Sequence, residues 1–166
     1  DKIVINVALI GEVEKGRYLL RSSAKEGDYI LVTGFLGEGV SHLLENKIYL
    51  PKIRLNLIRE LAQKKLVSTA IDISDGLSSE INHIAKESGK GAEIFEECIP
   101  LSDHTIKIAK RHKKNAVDMA LNGGEDYYFI LEDRAGNIFL DSRNGKIIKD
   151  KVVPSEPNNT GGQVYL

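Results

Sequence analysis

Cysteine is nearly missing from this 166-residue chain, with Cys98 the only one, and tryptophan is missing altogether. One thiol cannot close an internal disulfide, and it cannot build a thiolate zinc site. Long hydrophobic runs are missing too: nothing approaches the roughly 20 residues that a membrane-crossing helix needs. Charge of one sign is also lacking, since 23 basic residues face 24 acidic ones for a formal net charge of -1. No overall field would draw the domain to nucleic acid or to an anionic membrane, so any phosphate site must be local. Repeats and low-complexity tracts are absent. The chain opens on Asp1, without an initiator Met, signal peptide or transit sequence, and reads as a cytosolic protein cut from something longer. Its length suits one domain, able to bury roughly two thirds of the surface of the unfolded chain.

What is there alternates between strand and helix patterns. Ile3 to Gly11 is strand-like, and Glu12 to Gly27 is polar and basic. Asp28 to Gly34 reads as a buried strand that ends on a glycine. The Gly34 to Gly39 turn leads into a short helix at Val40 to Glu45, and Leu50-Pro51 breaks the pattern. Ile53, Leu57, Ile58 and Leu61 then mark one face of a helix that reaches about Lys65. Val67 to Ile73 is a strand. Leu77, Ile81, Ile84 and Ala85 follow at helical spacing, with Ser74 or Asp75 as the expected N-cap and Ser88-Gly89 as the stop. A second such region runs through strand Ala92 to Phe95, a helix from the Ser102 cap to about His112, and a short helix from Ala116 to Leu121. The Gly123-Gly124 turn and strand Tyr127 to Leu131 complete it. Asn144-Gly145 between Ile138-Phe139-Leu140 and Ile147-Ile148 is a type I′ hairpin signal, and Pro154 to Gly162 reads as a loosely ordered tail.

Two acidic segments sit where strand patterns meet helix patterns or turns. In Ile71-Asp72-Ile73-Ser74-Asp75-Gly76-Leu77, the two aspartates span a strand end and a helix start, close enough to reach a common ion. Magnesium prefers such hard carboxylates, Ser74 adds a hydroxyl, and the amides after Gly76 are unpaired donors at the positive helix end. The alternative is that Ser74 or Asp75 only caps the helix while Asp72 is solvated. In Gly123-Gly124-Glu125-Asp126-Tyr127, two glycines let the backbone turn and point Glu125 and Asp126 towards a cationic or amino-bearing ligand. Here the alternative is a helix C-cap at Gly123 and an ordinary charged turn.

Other candidates carry less. Arg17, Arg21 and Lys25 recur at helical spacing beside Ser22-Ser23, as an anion contact or a solvated helix face. Gly34-Phe35-Leu36-Gly37-Glu38-Gly39 has neither dinucleotide-fingerprint nor P-loop spacing and reads as a turn that could line a site. His42, His83, His104 and His112 show no pairing at metal-ligand spacing.

In this order the motifs resemble the C-terminal domain of the thiamine-monophosphate kinase family. They are Gly16-Arg17, Leu20-Arg21-Ser22, Ala24-Lys25, Gly27-Asp28, Leu50-Pro51 with Arg54, the Asp-Ile-Ser-Asp-Gly segment at Asp72, and Leu121 with Gly123-Gly124-Glu125-Asp126-Tyr127. The resemblance runs from about Ile3 to Leu131. It implies an α+β fold, a mixed β-sheet flanked by helices, shared with aminoimidazole ribonucleotide synthetase. It implies transfer of the γ-phosphoryl of ATP to thiamine monophosphate, with Asp72 and Asp75 as magnesium ligands, Arg21 and Ser74 on ATP, and Glu125 on the thiamine substrate. No side chain is assigned a covalent catalytic role. The resemblance also implies a missing N-terminal domain with further magnesium aspartates, a homodimer formed through it, and negligible activity for this chain alone. Residues 132–166 depart from the family, leaving Tyr165 as the candidate for its substrate-packing aromatic. Competing readings are another ATP-dependent synthetase of the superfamily and a non-catalytic binding or regulatory domain.

Overall fold

The structure, a computed structural model, describes residues 3–127 together with 129–133, 139–140, 147–148 and 163–165. Its first strand is β1 (Tyr29–Val32), followed by helices α1 (Glu38–Leu44) and α2 (Leu55–Gln63). Strand β2 (Val67–Asp72) leads to α3 (Leu77–Ser88), then to β3 (Glu93–Phe95) and a 3-10 turn at Glu96–Cys98. Helices α4 (Asp103–Arg111) and α5 (Ala116–Asn122) precede β4 (Phe129–Asp133), β5 (Phe139–Leu140), β6 (Ile147–Ile148) and β7 (Gln163–Tyr165).

The main sheet has the order β1-β4-β2, and β4 runs antiparallel to both neighbours, with Leu131 opposite Leu31 on one side and Ala70 on the other. A parallel bridge from Leu20 to Thr69 on β2 makes the sheet mixed. The α+β reading therefore holds. Burial alternates along β2, so Val67, Thr69 and Ile71 face inward. Ile71 and Ile73 pack with Leu77 and Ile81 of α3, Leu36, Ile94, Ile99 and Ala120 in the larger core. Leu57 and Leu61 of α2 close a smaller core against Val67. Each fully buried leucine or isoleucine, such as Leu36, Leu61, Ile73 and Ile108, contributes about 1.5–3 kcal/mol by leaving water.

The helix ends follow their chemistry. Ser102 caps α4 by accepting the Thr105 amide at 3.0 Å, and Asn115 caps α5 by accepting from Val117 and Asp118. Gly89 ends α3 in the left-handed region. The expected N-cap of α3 is corrected: Gly76 holds that position with no side-chain cap. Glu80, buried within the first turn, instead accepts from the Asp75 amide and the Ser74 hydroxyl, each at 3.3 Å.

Three further expectations change. Ile3 to Gly11 joins no strand, and Ile3, Ile5, Val7, Leu9 and Ile10 are at least 75% exposed. An apolar extended stretch becomes a strand only where a neighbour takes its backbone groups, and among the described residues none does. Arg17, Arg21 and Lys25 do not share a helix: Gly16 and Gly27 take left-handed φ, and the segment runs as turns into the Leu20 bridge. β1 is less buried than expected, since Tyr29 and Ile30 are exposed at the sheet edge and Leu31 and Val32 are half-buried. The hairpin strands pair as expected, Phe139 with Ile148 and Leu140 with Ile147. The Asn144-Gly145 turn and the Pro154 to Gly162 tail lie outside the described residues. β7 pairs with β3, setting the backbone of Tyr165 opposite Glu93.

Candidate functional site

The two acidic segments meet. The Glu125 amide donates to the Ser74 carbonyl at 2.8 Å, and the Tyr127 amide donates to the Ile73 carbonyl at 2.8 Å. The turn after α5 is thus laced to the end of β2, just where that strand hands over to α3. Glycine makes the approach possible: a Cβ on Gly124 would run into the Ser74 carbonyl oxygen, and one on Gly76 would lie 2.6 Å from the Leu121 carbonyl oxygen. Gly124 also has φ +69, where a side chain is strained. Glu125 and Tyr127 themselves sit at φ 60 and 53, left-handed conformations that non-glycine residues rarely hold. Such strain, kept in place by surrounding hydrogen bonds, is common at ligand sites.

Electrostatics report the same neighbourhood. The Tyr127 hydroxyl is held neutral to higher pH than usual, first by its hydrogen bond with the Glu125 carboxylate, then by the charge of Glu125, by burial, and by the charges of Asp72 and Asp75. Three carboxylates therefore project negative potential onto one tyrosine. Glu125 and Asp75 are exposed, and Asp72 and Ser74 are half-buried. Among the described residues no ion pair joins Asp72, Asp75 or Glu125 to a basic side chain. As hard oxygen donors, the Asp72 and Asp75 carboxylates have the chemistry that magnesium prefers.

The pairing of Glu125 with Asp126 as two ligand-facing carboxylates is corrected. Asp126 is fully buried and points inward, accepting the Gly37 amide at 2.8 Å and the Gly39 amide at 3.1 Å. The left-handed backbone at Glu125 and Tyr127, on either side of it, accompanies this inward placement. The Gly34 to Gly39 turn does line the site: a Cβ on Gly39 would lie 2.9 Å from the Glu125 Cβ. Arg21 is placed apart. Its carbonyl accepts from the Ser88 hydroxyl at 3.1 Å, which puts it at the C-terminal end of α3, whereas Asp75 precedes the N-terminal end. A 12-residue helix is about 18 Å long at ~1.5 Å per residue, so Arg21 could contact only another part of an extended ligand. Arg17 pairs with Glu14 at 2.9 Å and lines a groove of about 230 Å³ with Tyr18, Ser23 and Lys65.

Two features escaped the sequence reading. Glu80 supports the Ser74-Asp75 turn, and its signal was an acidic residue beside the apolar face formed by Leu77, Ile81 and Ile84. His42 and His104 are brought together with Glu38, although nothing in their spacing along the chain pairs them. His83 is exposed, as expected. No helix among the described residues is long and apolar enough to cross a membrane.

Residues 25–135 match the family model "AIR synthase related protein, C-terminal domain". The thiamine-monophosphate kinase of Aquifex aeolicus (strain VF5) is 35% identical over 157 residues, 85% of this chain and 51% of that protein. That of Escherichia coli (strain K12) is 38% identical over 138 residues, 74% and 42% of the two chains. Among solved structures, the thiamine-monophosphate kinase of Stenotrophomonas maltophilia K279a gives a TM-score of 0.63 at 28% identity, over 74% of this chain and 44% of that one. AaThiL complexed with AMPPCP and TMP gives 0.56 at 31%, over 70% and 42%. The E. coli hydrogenase maturation protein HypE shares the fold, with a TM-score of 0.55 at 17% identity, over 70% and 38%. The chain spans about half the length of the curated relatives it matches.

Proposed function

The chain belongs to the AIR synthase related protein C-terminal domain family, and we propose that it is the C-terminal half of a two-domain kinase making thiamine diphosphate. In this reaction an oxygen of thiamine monophosphate attacks the γ-phosphorus of ATP, the bond from that phosphorus to the bridging oxygen breaks, and ADP leaves. The observation that carries the reading is the lacing of Glu125 and Tyr127 to Ser74 and Ile73, which joins the two acidic segments into one patch. Its relatives of that name, at 35% and 38% identity, support the substrates.

Phosphoryl transfer asks mainly for positioning and charge neutralisation, with little covalent chemistry from side chains. Asp72 and Asp75 would hold magnesium, which neutralises charge on the phosphate oxygens. Ser74 offers a hydroxyl, and Arg21 a guanidinium, to the nucleotide. Glu125 faces the opposite need, because thiamine carries a cationic ring and an amino group that a carboxylate can pair with. Glu80 and the Gly124 contact hold the turn in place, so that these groups are set before the substrates arrive. The remaining ligands belong to the other domain of such a kinase, which would also carry the homodimer contact, with the whole acting in the cytoplasm.

The test is to express the full-length protein that carries this chain and to follow thiamine diphosphate and ADP formed from ATP, magnesium and thiamine monophosphate. Stoichiometric formation of both supports the proposal. A full-length protein that hydrolyses or binds ATP but never yields thiamine diphosphate overturns it. The isolated chain is expected to show negligible turnover.

A further inference from the structure

We propose a second metal site, for a first-row transition ion of the zinc class, between α1 and α4 at Glu38, His42 and His104. One ligand atom from each of the three lies within 4.8 Å of the others, and all three side chains are half-buried. Glu38 and His42 are one helical turn apart on α1 and so share a face, and His104 approaches it from the first turn of α4.

The surrounding hydrogen bonds already orient the donors. The Ser102 and Thr105 hydroxyls both donate to Glu38 Oε1, leaving Oε2 turned to His104 Nδ1 at 3.2 Å and His42 Nδ1 at 3.7 Å. His42 Nδ1 lies 2.8 Å from the Glu38 carbonyl oxygen; as the donor of that bond it leaves the Nε2 lone pair for a metal. A metal-binding histidine is commonly fixed this way through its other nitrogen.

His104 supplies the argument for a cation. Its Nδ1 is 3.2 Å from Glu38 Oε2, and its Nε2 is 3.2 Å from Glu45 Oε2. As an imidazolium His104 donates to both carboxylates, but as a neutral imidazole, the form that ligates a metal, it has one N–H, and one of these contacts then sets a lone pair against a carboxylate. A cation at the Glu38 side removes that conflict, while Nε2–H keeps Glu45. Glu45 is engaged elsewhere, by Lys47 at 2.9 Å and Arg111 at 3.2 Å, and so flanks the site without ligating. Two imidazole nitrogens and one carboxylate oxygen select zinc-like ions over magnesium. Bonds of about 2.0–2.1 Å would draw the three donors closer together and leave a fourth position for water. The ion would clamp α1 to α4, and since Gly37 and Gly39 flank Glu38 and bind Asp126, it would stiffen the turn beneath Glu125. The site uses none of the side chains assigned to the proposed magnesium patch and does not depend on the kinase reading.

The test uses the purified chain and the metal alone. Cobalt(II) should give the visible absorption of a low-symmetry nitrogen and oxygen site, and one equivalent of zinc should displace it and raise the melting temperature. His42→Gln and His104→Gln should each weaken zinc binding about tenfold or more, and the double variant should lose the cobalt bands. A wild-type chain without those bands overturns the proposal whatever the variants do. So does a folded double variant that binds zinc as the wild type does.

Discussion

Asp126 and Gly39 are bound across about half the length of the chain, the Gly39 amide donating to Asp126 Oδ1 at 3.1 Å while the Gly37 amide takes Oδ2 at 2.8 Å. A carboxylate without exposed surface thus holds the start of α1 against the turn that presents Glu125. Each oxygen serves a different amide, so the group is used on both sides.

Asp126→Asn tests that clamp. Its amide nitrogen would face one of the two N–H groups, leaving a buried donor unpaired, at a cost of about 1–3 kcal/mol in urea denaturation. The pH dependence gives a second check. Burial pushes the folded carboxyl above its ordinary value, against the pull of the Gly37, Gly39 and Glu38 amides. A folded state that binds the proton more tightly gains stability below the unfolded value and loses it as pH rises through the folded one. The stability advantage of wild type over Asp126→Asn should therefore shrink as pH rises through the window just above the usual carboxylate range. An advantage that grows across that window would contradict the assignment.

Two left-handed glycines separate strain from collision. Gly89, with φ +63, has nothing within 4 Å of the point where an alanine methyl would sit, so Gly89→Ala should cost only the conformational penalty of about 1–2 kcal/mol. Gly124→Ala adds a clash with the Ser74 carbonyl and should cost more than Gly89→Ala, while parting the two acidic segments. Thermal melts rank the pair, and equal losses would mean that the close approach at Gly124 can relax.

The elements were legible because local chemistry agreed with tertiary context. β2 and α3 follow from apolar spacing bounded by Gly76 and Gly89, and α4 follows from the Ser102 cap. The acidic segments were visible for the same reason, as polar and small residues at element ends. What could not be read depends on contacts distant in sequence. The meeting of His42 with His104, the inward turn of Asp126 and the support from Glu80 are set by how helices dock, and no periodicity encodes them. Ile3 to Gly11 shows the converse, because β propensity gives no strand where, among the described residues, no pairing partner is present.

Tyr127 offers a direct reading of the patch in the chain itself. Its hydroxyl titrates high chiefly because of Glu125, so Glu125→Gln should move it back towards the ordinary tyrosine value. Asp72→Asn should move it in the same direction by less, since that charge contributes less than Glu125 does. Site-specific carbon-13 labelling of Tyr127 and a pH titration by NMR measure both. A larger shift from Asp72→Asn would place Tyr127 nearer the proposed metal ligands than Glu125.

Roles within the patch separate by kinetics in the full-length protein. Asp72→Asn keeps size and removes one charge from the proposed magnesium ligands, so kcat/KM should fall by orders of magnitude with the fold intact, a metal clamp being worth several kcal/mol. Asp75→Asn should act mainly through magnesium-ATP. Glu125→Gln should instead remove the proposed charge-assisted hydrogen bond to the thiamine moiety, about 1.5–3 kcal/mol or roughly tenfold to a hundredfold in kcat/KM, and raise the KM for thiamine monophosphate more than that for ATP. The structural reason is the left-handed backbone at Glu125, which fixes its carboxylate beside Tyr127 and away from any basic partner among the described residues. If Glu125→Gln weakened magnesium-ATP alone, both acidic segments would belong to the nucleotide, and the thiamine ring would have to be recognised elsewhere.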